Sequence, residues 1–234
     1  MKSLIKYSLH DYIRSHKYFP PLSTFVILIF IFYTYKPNPI IDSYAVTAII
    51  VYIISAWLSL SILSIESPVH RGVLSLHTGG WNRYYISKII SVVIIAVFLS
   101  FYAILYPIVF SMFNDPLTVT IVTISFVNHM ILAILGVSIA SFFSRAIMTS
   151  SINSFGGLSL VIVLSIAALG IAQILPLPLK FLTWIIPPAT ATQTALYHWN
   201  GDSVSGLSVF PFIWIVLYSF LLLYLFLTLA KRMR

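Results

Sequence analysis

Residues 86–111 read ISKIISVVIIAVFLSFYAILYPIVFS and carry a single charge, Lys88, at their start. As a helix, such a run is about 39 Å long, enough to cross a hydrocarbon core of about 30 Å. It has no alternation of polar and apolar residues, so a β-barrel strand is a poor description. A helix is required, because backbone facing lipid must satisfy its own hydrogen bonds. Outward from this run the chain repeats the pattern. Hydropathy marks six spans, near 19–35, 43–65, 86–111, 118–143, 151–175 and 209–230, joined at Lys36-Pro37-Asn38-Pro39 and Asn114-Asp115-Pro116 by residues that favour turns.

The composition agrees. The 234 residues are 60% hydrophobic and only 8% charged, where a soluble domain carries about a quarter charged residues. A soluble globular protein, a disordered tail and a nucleic-acid binder are all excluded, and six spans of about 20 residues leave no room for a separate soluble domain. The chain is expected to be one transmembrane domain over residues 1–234. It contains no cysteine, which removes disulfides, thiolate nucleophiles and thiolate metal sites.

The net charge of +8 is explained by position. With loops taken in alternation and both termini inside, the cytoplasmic side holds Lys2, Lys6, Arg14, Lys17, Arg71, Arg83, Lys88, Arg145, Lys231, Arg232 and Arg234, and the outside holds Lys36 and Lys180. Eleven of the thirteen cations thus favour a multi-pass cell-membrane protein with both termini cytoplasmic. Within residues 1–18 no apolar run follows the basic residues as a cleavable signal requires, so this start is expected to be retained. At 100° per residue Ile5, Leu9, Tyr12 and Ile13 share one face while Lys6, His10, Arg14 and Lys17 lie opposite, the pattern of an amphipathic helix on the membrane surface. Pro20 and Pro21 punctuate the turn into the first span.

The chemistry is sparse. Asp11, Asp42, Glu66, Asp115 and Asp202 all lie outside or at the ends of the spans, so no midplane carboxylate is available for ion coupling. Near mid-span only His129 is ionisable; with Asn128 it reads as an interhelical hydrogen-bonding pair. Gly136-Val137-Ser138 superficially resembles a serine-nucleophile motif, but His129 is about 13.5 Å away along the same helix. His70 and His77 have no HExxH motif or carboxylate cluster beside them. No catalytic or metal site is expected. There is no GxxxxGK[ST] loop, so uphill transport would need energy from a partner.

Two loops exceed what connection needs: 66–85 on the cytoplasmic side and 176–208 outside, the latter holding Pro176, Pro178, Trp184, Pro187, Pro188 and Trp199. The first runs Glu66-Ser-Pro-Val-His-Arg71-Gly-Val-Leu74-Ser-Leu76-His-Thr-Gly79-Gly-Trp-Asn-Arg83-Tyr-Tyr-Ile-Ser-Lys88. Val69, Val73, Leu74 and Leu76 would give a short surface helix an apolar patch, which invites a protein partner; an ordinary solvated loop is the other reading.

An acidic residue closing the second span, an Arg-Gly five residues on, a Leu, Gly-x-x-x-Arg and a Ser-Lys opening the third span resemble the permease of an ABC-2 type transporter. The likeness covers most of the chain: amphipathic first helix, six spans, this loop, and a long external loop before the last span. Pro68 and Gly79-Gly80 depart from it at positions that vary in the family. The resemblance implies a cytoplasmic coupling helix docking on a separate ABC ATPase that carries ATP and Mg, with Glu66 at the helix start, Arg71 following it, and Arg83 and Lys88 leading back to the membrane. An acid at a helix start also serves as a cap. The resemblance further implies a second permease, identical or different, and an external re-entrant hairpin acting as a lid from Pro187-Pro188 through residues 189–196; for Trp184 and Trp199 an interfacial anchor is the competing explanation. Small residues four apart, Gly136, Ala140 and Ser144 or Ser55 and Ser59, suit close helix approach either between permeases or within the chain. The function so implied is export of an amphipathic peptide or lipid-like substrate, the short chain resembling peptide-toxin export and immunity permeases; an ATPase-independent carrier or channel is the alternative.

Overall fold

The structure, a computed structural model, describes residues 1–199, 201 and 204–232. Asp202 and Arg234 lie outside the described residues. Nine α-helices appear among those described: α1 (Lys2–Arg14), α2 (Phe19–Phe32), α3 (Ile40–Leu63), α4 (Pro68–His77), α5 (Trp81–Val109), α6 (Val119–Phe142), α7 (Ser151–Ile174), α8 (Ala191–Tyr197) and α9 (Phe210–Arg232). Five of them, α3, α5, α6, α7 and α9, are long and apolar enough to cross a membrane, and a sixth span is reached if α1 and α2, bent by 80°, count as one. This is the architecture of a multi-pass helical membrane protein.

The spans form where hydropathy places them, with instructive differences at two ends. The 14 residues of α2 extend only about 21 Å. On its far side the chain bends into a clasp: Asn38 N–H donates to the Met112 carbonyl at 2.9 Å, and Lys36 Nζ donates to the Phe110 carbonyl at 2.9 Å. This pins the 33–39 segment to the end of α5. The other difference is the start of α5 at Trp81, inside the segment read as loop to residue 85. Gly79 and Gly80, with φ of 79° and 124°, end α4 and let a new helix start at once.

At the centre, α3 packs on α6. Their approach depends on the absence of a side chain at Gly136: a Cβ there would overlap the Tyr52 carbonyl of α3 and lie 3.2 Å from the Ala56 nitrogen. Ser59 Oγ donates to the Val137 carbonyl at 3.3 Å across the same seam. The small residues at Gly136 and Ser59 thus serve contact within the chain. His129, fully buried, bonds Thr47 Oγ1 of α3 at 3.0 Å and lies 2.7 Å from the Ser125 carbonyl. It is the interhelical link expected of it, but Thr47 is its partner rather than Asn128, whose buried amide has no hydrogen-bond partner among the described residues. Ser138 donates to the Leu135 carbonyl at 2.8 Å and has no bond to His129.

One end of the bundle gathers α1, α4, the start of α5 and the end of α9. Tyr12, Tyr84, Tyr85 and Phe226 share a core cluster there, so both terminal helices meet at the same end. The opposite end carries the 33–39 clasp and the described residues between α7 and α9.

Candidate functional site

The most organised polar site in the described chain is the seat of α4. Ser67, with extended backbone, caps the helix by accepting from His70 N–H at 3.4 Å, and Pro68 takes the first helical turn, where its missing N–H costs nothing. At the other end Gly80 N–H donates to the Ser75 carbonyl at 2.8 Å and Gly79 N–H to the Leu76 carbonyl at 3.3 Å. That paired closure with a left-handed Gly79 is a Schellman motif. Ten residues with both ends satisfied make a short helix that holds its shape against the bundle.

Three charged residues fasten it. Glu66 is buried, 4% exposed, and forms an ion pair with Lys88 of α5. Its other oxygen accepts from Tyr84 Oη at 2.9 Å. Tyr84 and Lys88 are four apart on α5 and so share a face; together they receive the carboxylate. Arg71, also buried, donates from Nη1 to the Arg145 carbonyl at 2.7 Å, and Arg145 N–H donates to Ser64 Oγ at 3.1 Å. The turn between α6 and α7 is thereby tied both to α4 and to the end of α3. On the third side Tyr7 Oη of α1 meets His70 Nε2 at 3.4 Å.

The loop residues divide between two surfaces. Glu66, Arg71 and Lys88, which the resemblance places in an ATPase-docking loop, turn inward and bond the bundle. Glu66 is not the cap, because Ser67 is. Leu74 packs on the central core cluster. Val69 and Leu76 project outward, 79% and 83% exposed, with Val73 half exposed beside them. Arg83 lies exposed in the first turn of α5. Tyr84, Ser67 and the Arg145 carbonyl were not singled out in the sequence. The spacing of Tyr84 and Lys88 signals a shared face, whereas a backbone carbonyl from a distant turn has no sequence mark.

Lys6 and Arg14 of α1 are exposed, and so is Lys17, which lies not in the helix as expected but in the turn after it, because α1 ends at Arg14. The helix's Tyr12 is buried, whereas Ile13 of its apolar set remains exposed. At the opposite end, Leu177–Trp184 form a 3-10 helix, followed by α8. Pro187 is held by Ser165 Oγ of α7, which donates to its carbonyl at 2.7 Å, and Tyr218 Oη of α9 donates to the Ile185 carbonyl at 2.7 Å. Pro188 follows, leading into buried Ala189. The two tryptophans part company. Trp184 is exposed and meets Trp214 edge to face at 5.0 Å, whereas Trp199 is buried in a cluster with Tyr44, Ile104 and Leu196.

No protein-family model, curated protein or solved structure matches the chain. The fold and this seat are therefore what define its class: a multi-pass helical membrane protein with a short, capped, surface-presenting helix locked to one end.

Proposed function

We propose that the chain is the membrane-spanning permease subunit of an ATP-driven exporter of the ABC-2 type, moving an amphipathic peptide or lipid-like substrate outward by alternating access powered by a separate ATPase. The observation that carries this reading is α4. A helix that only connected two spans would bury its apolar face or be polar; α4 instead keeps Val69, Val73 and Leu76 in the open while three buried charges hold its other side to the bundle. An exposed apolar face on a fixed support suits a protein partner.

The supports also define where force applied to α4 would go. Through Glu66 and Lys88 it reaches α5; through Arg71 and the Arg145 carbonyl it reaches the junction of α6 and α7. A nucleotide-dependent movement of the partner would bias the spans between two arrangements by acting on those bonds, a shift of population that needs no energy source in this chain. Two such permeases with their ATPases would enclose the pathway, each chain contributing the weakly packed α7 side. Pro187 through residue 196 would lid it outside, and the end carrying α4 would be cytoplasmic.

The test is affinity purification of the tagged full chain expressed together with its neighbouring genes. The reading expects an ATPase to be retained and to hydrolyse ATP faster with the permease than alone. If no ATPase is retained from any such pairing, the exporter assignment fails.

A further inference from the structure

A cavity of about 280 Å³ opens at the same end as α4 but on another side, between the α1–α2 elbow, the last turns of α3 and the start of α7. Lys17 from the elbow and Arg145 from the α6–α7 turn both line it, and no carboxylate does. Among the described residues the one ion pair is Glu66 with Lys88, so neither cation is neutralised by a carboxylate contact. Two charges of one sign on a single cavity repel unless something of opposite sign sits between them. No described residue supplies such a group.

The rest of the wall fits an anion with an apolar body. Ser61, Ser64 and Ser151 bring hydroxyls to it; Ser64 Oγ already accepts from the Arg145 N–H and retains its own proton to donate. The 24-residue α7 opens at this cavity, with Ser150 as its cap, and adds the partial positive charge of a helix start. Trp57, Leu60 and Phe155 supply apolar lining to the same cavity. Trp57 sits near the end of α3, where a span meets the interface and aromatic side chains favour the headgroup level.

We propose that this cavity binds the phosphate headgroup of an anionic glycerophospholipid, held between Lys17 and Arg145, with its acyl chains leaving past Phe155 along the exposed apolar face of α7. The volume admits a headgroup and not a whole lipid, which requires the chains to remain in the bilayer. A zwitterionic phosphatidylcholine carries its own cation against the two basic side chains and binds less well. The inference does not depend on the transport reading.

Native mass spectrometry of the full chain in dodecyl maltoside, titrated separately with phosphatidylglycerol, phosphatidylcholine and inorganic phosphate, tests it. Phosphatidylglycerol should bind at least tenfold more tightly than phosphatidylcholine. The double variant K17Q/R145Q should bind it about 30-fold more weakly, as two basic residues near an anionic headgroup contribute. K17R/R145K should retain the binding, which separates charge from loss of fold, and K2Q/K6Q, altering lysines away from the cavity, should leave it unchanged. Equal affinity for the two lipids overturns the proposal. So does an undiminished preference in K17Q/R145Q, and so does inorganic phosphate binding as tightly as the lipid, which would make the ligand a soluble anion.

Discussion

Helices α6 and α7 have the same length of 24 residues, and both are apolar enough to span a membrane. In α6 half of the most apolar window is buried inside the protein; in α7 the share is 11%. What separates them is the pattern of small and polar groups on the faces. Gly136 lets the α3 backbone come close, and His129 and Thr47 bond across the gap. Along most of α7 the glycines do no such service: a Cβ at Gly156 or Gly170 would meet nothing within 4 Å, and only at Gly157, in the second turn, would it meet a neighbour, the Phe143 ring at 2.6 Å. Apolar content decides that a helix enters the bilayer, and the interhelical face decides whether it meets protein or lipid there. The molecule thus has a locked side, α3, α5 and α6 with α4 seated at their end and α9 packed on α6, and an open side made of α7.

Four substitutions press on that contrast. The largest effect is expected for Lys88→Met on the locked side, because it strands the Glu66 carboxylate in a buried site; loss of one partner of a buried pair costs about 3–5 kcal/mol. The unfolding midpoint in detergent should fall sharply, and the double change E66M/K88M should recover much of the loss. Second is Gly136→Ala. The new methyl group meets the Tyr52 carbonyl, part of a helix backbone that cannot yield locally, and a cost of about 1–3 kcal/mol follows, read by the same unfolding measurement. Third, Thr47→Val removes the cross-helix partner of His129 and should cost about 1 kcal/mol. Smallest is Gly156→Ala in α7, chemically the same change as at Gly136, which should stay within about 0.5 kcal/mol of the parent. If the two glycine variants unfolded at the same midpoint, the division into locked and open sides would be wrong.

Much of the fold was legible because lipid imposes a coarse rule: long apolar runs, turn residues between them, and cations on one side. Five spans fall within a few residues of their hydropathy limits; the one expected near 19–35 is α2, which reaches spanning length only if the bent α1–α2 pair counts as one. The Trp81 start of α5 was hidden because Trp81-Asn82-Arg83 looks as polar as the loop before it. The site was legible in outline only. Glu66, Arg71 and Lys88 stand out as rare charges beside a membrane, but an acid that caps a helix, an acid that docks a partner and an acid that pairs inward have the same letters around them. The distinction lies in Tyr84 and Lys88 reaching it from α5. Its consequence is practical: Glu66→Ala and Arg71→Ala remove buried supports and disturb the fold as well as any coupling. The outward residues Val69 and Leu76 are the better probes.

If the exposed face of α4 receives an ATPase, as proposed, the double variant V69D/L76D should break that contact and leave the permease folded. Both side chains project into solvent, so the unfolding midpoint of the isolated permease should stay within the range of other surface changes. In a pull-down with the co-expressed ATPase, retention should fall at least tenfold, since two carboxylates would have to be desolvated against an apolar groove. ATPase retained at the parental level, with the variant folded, would contradict the account.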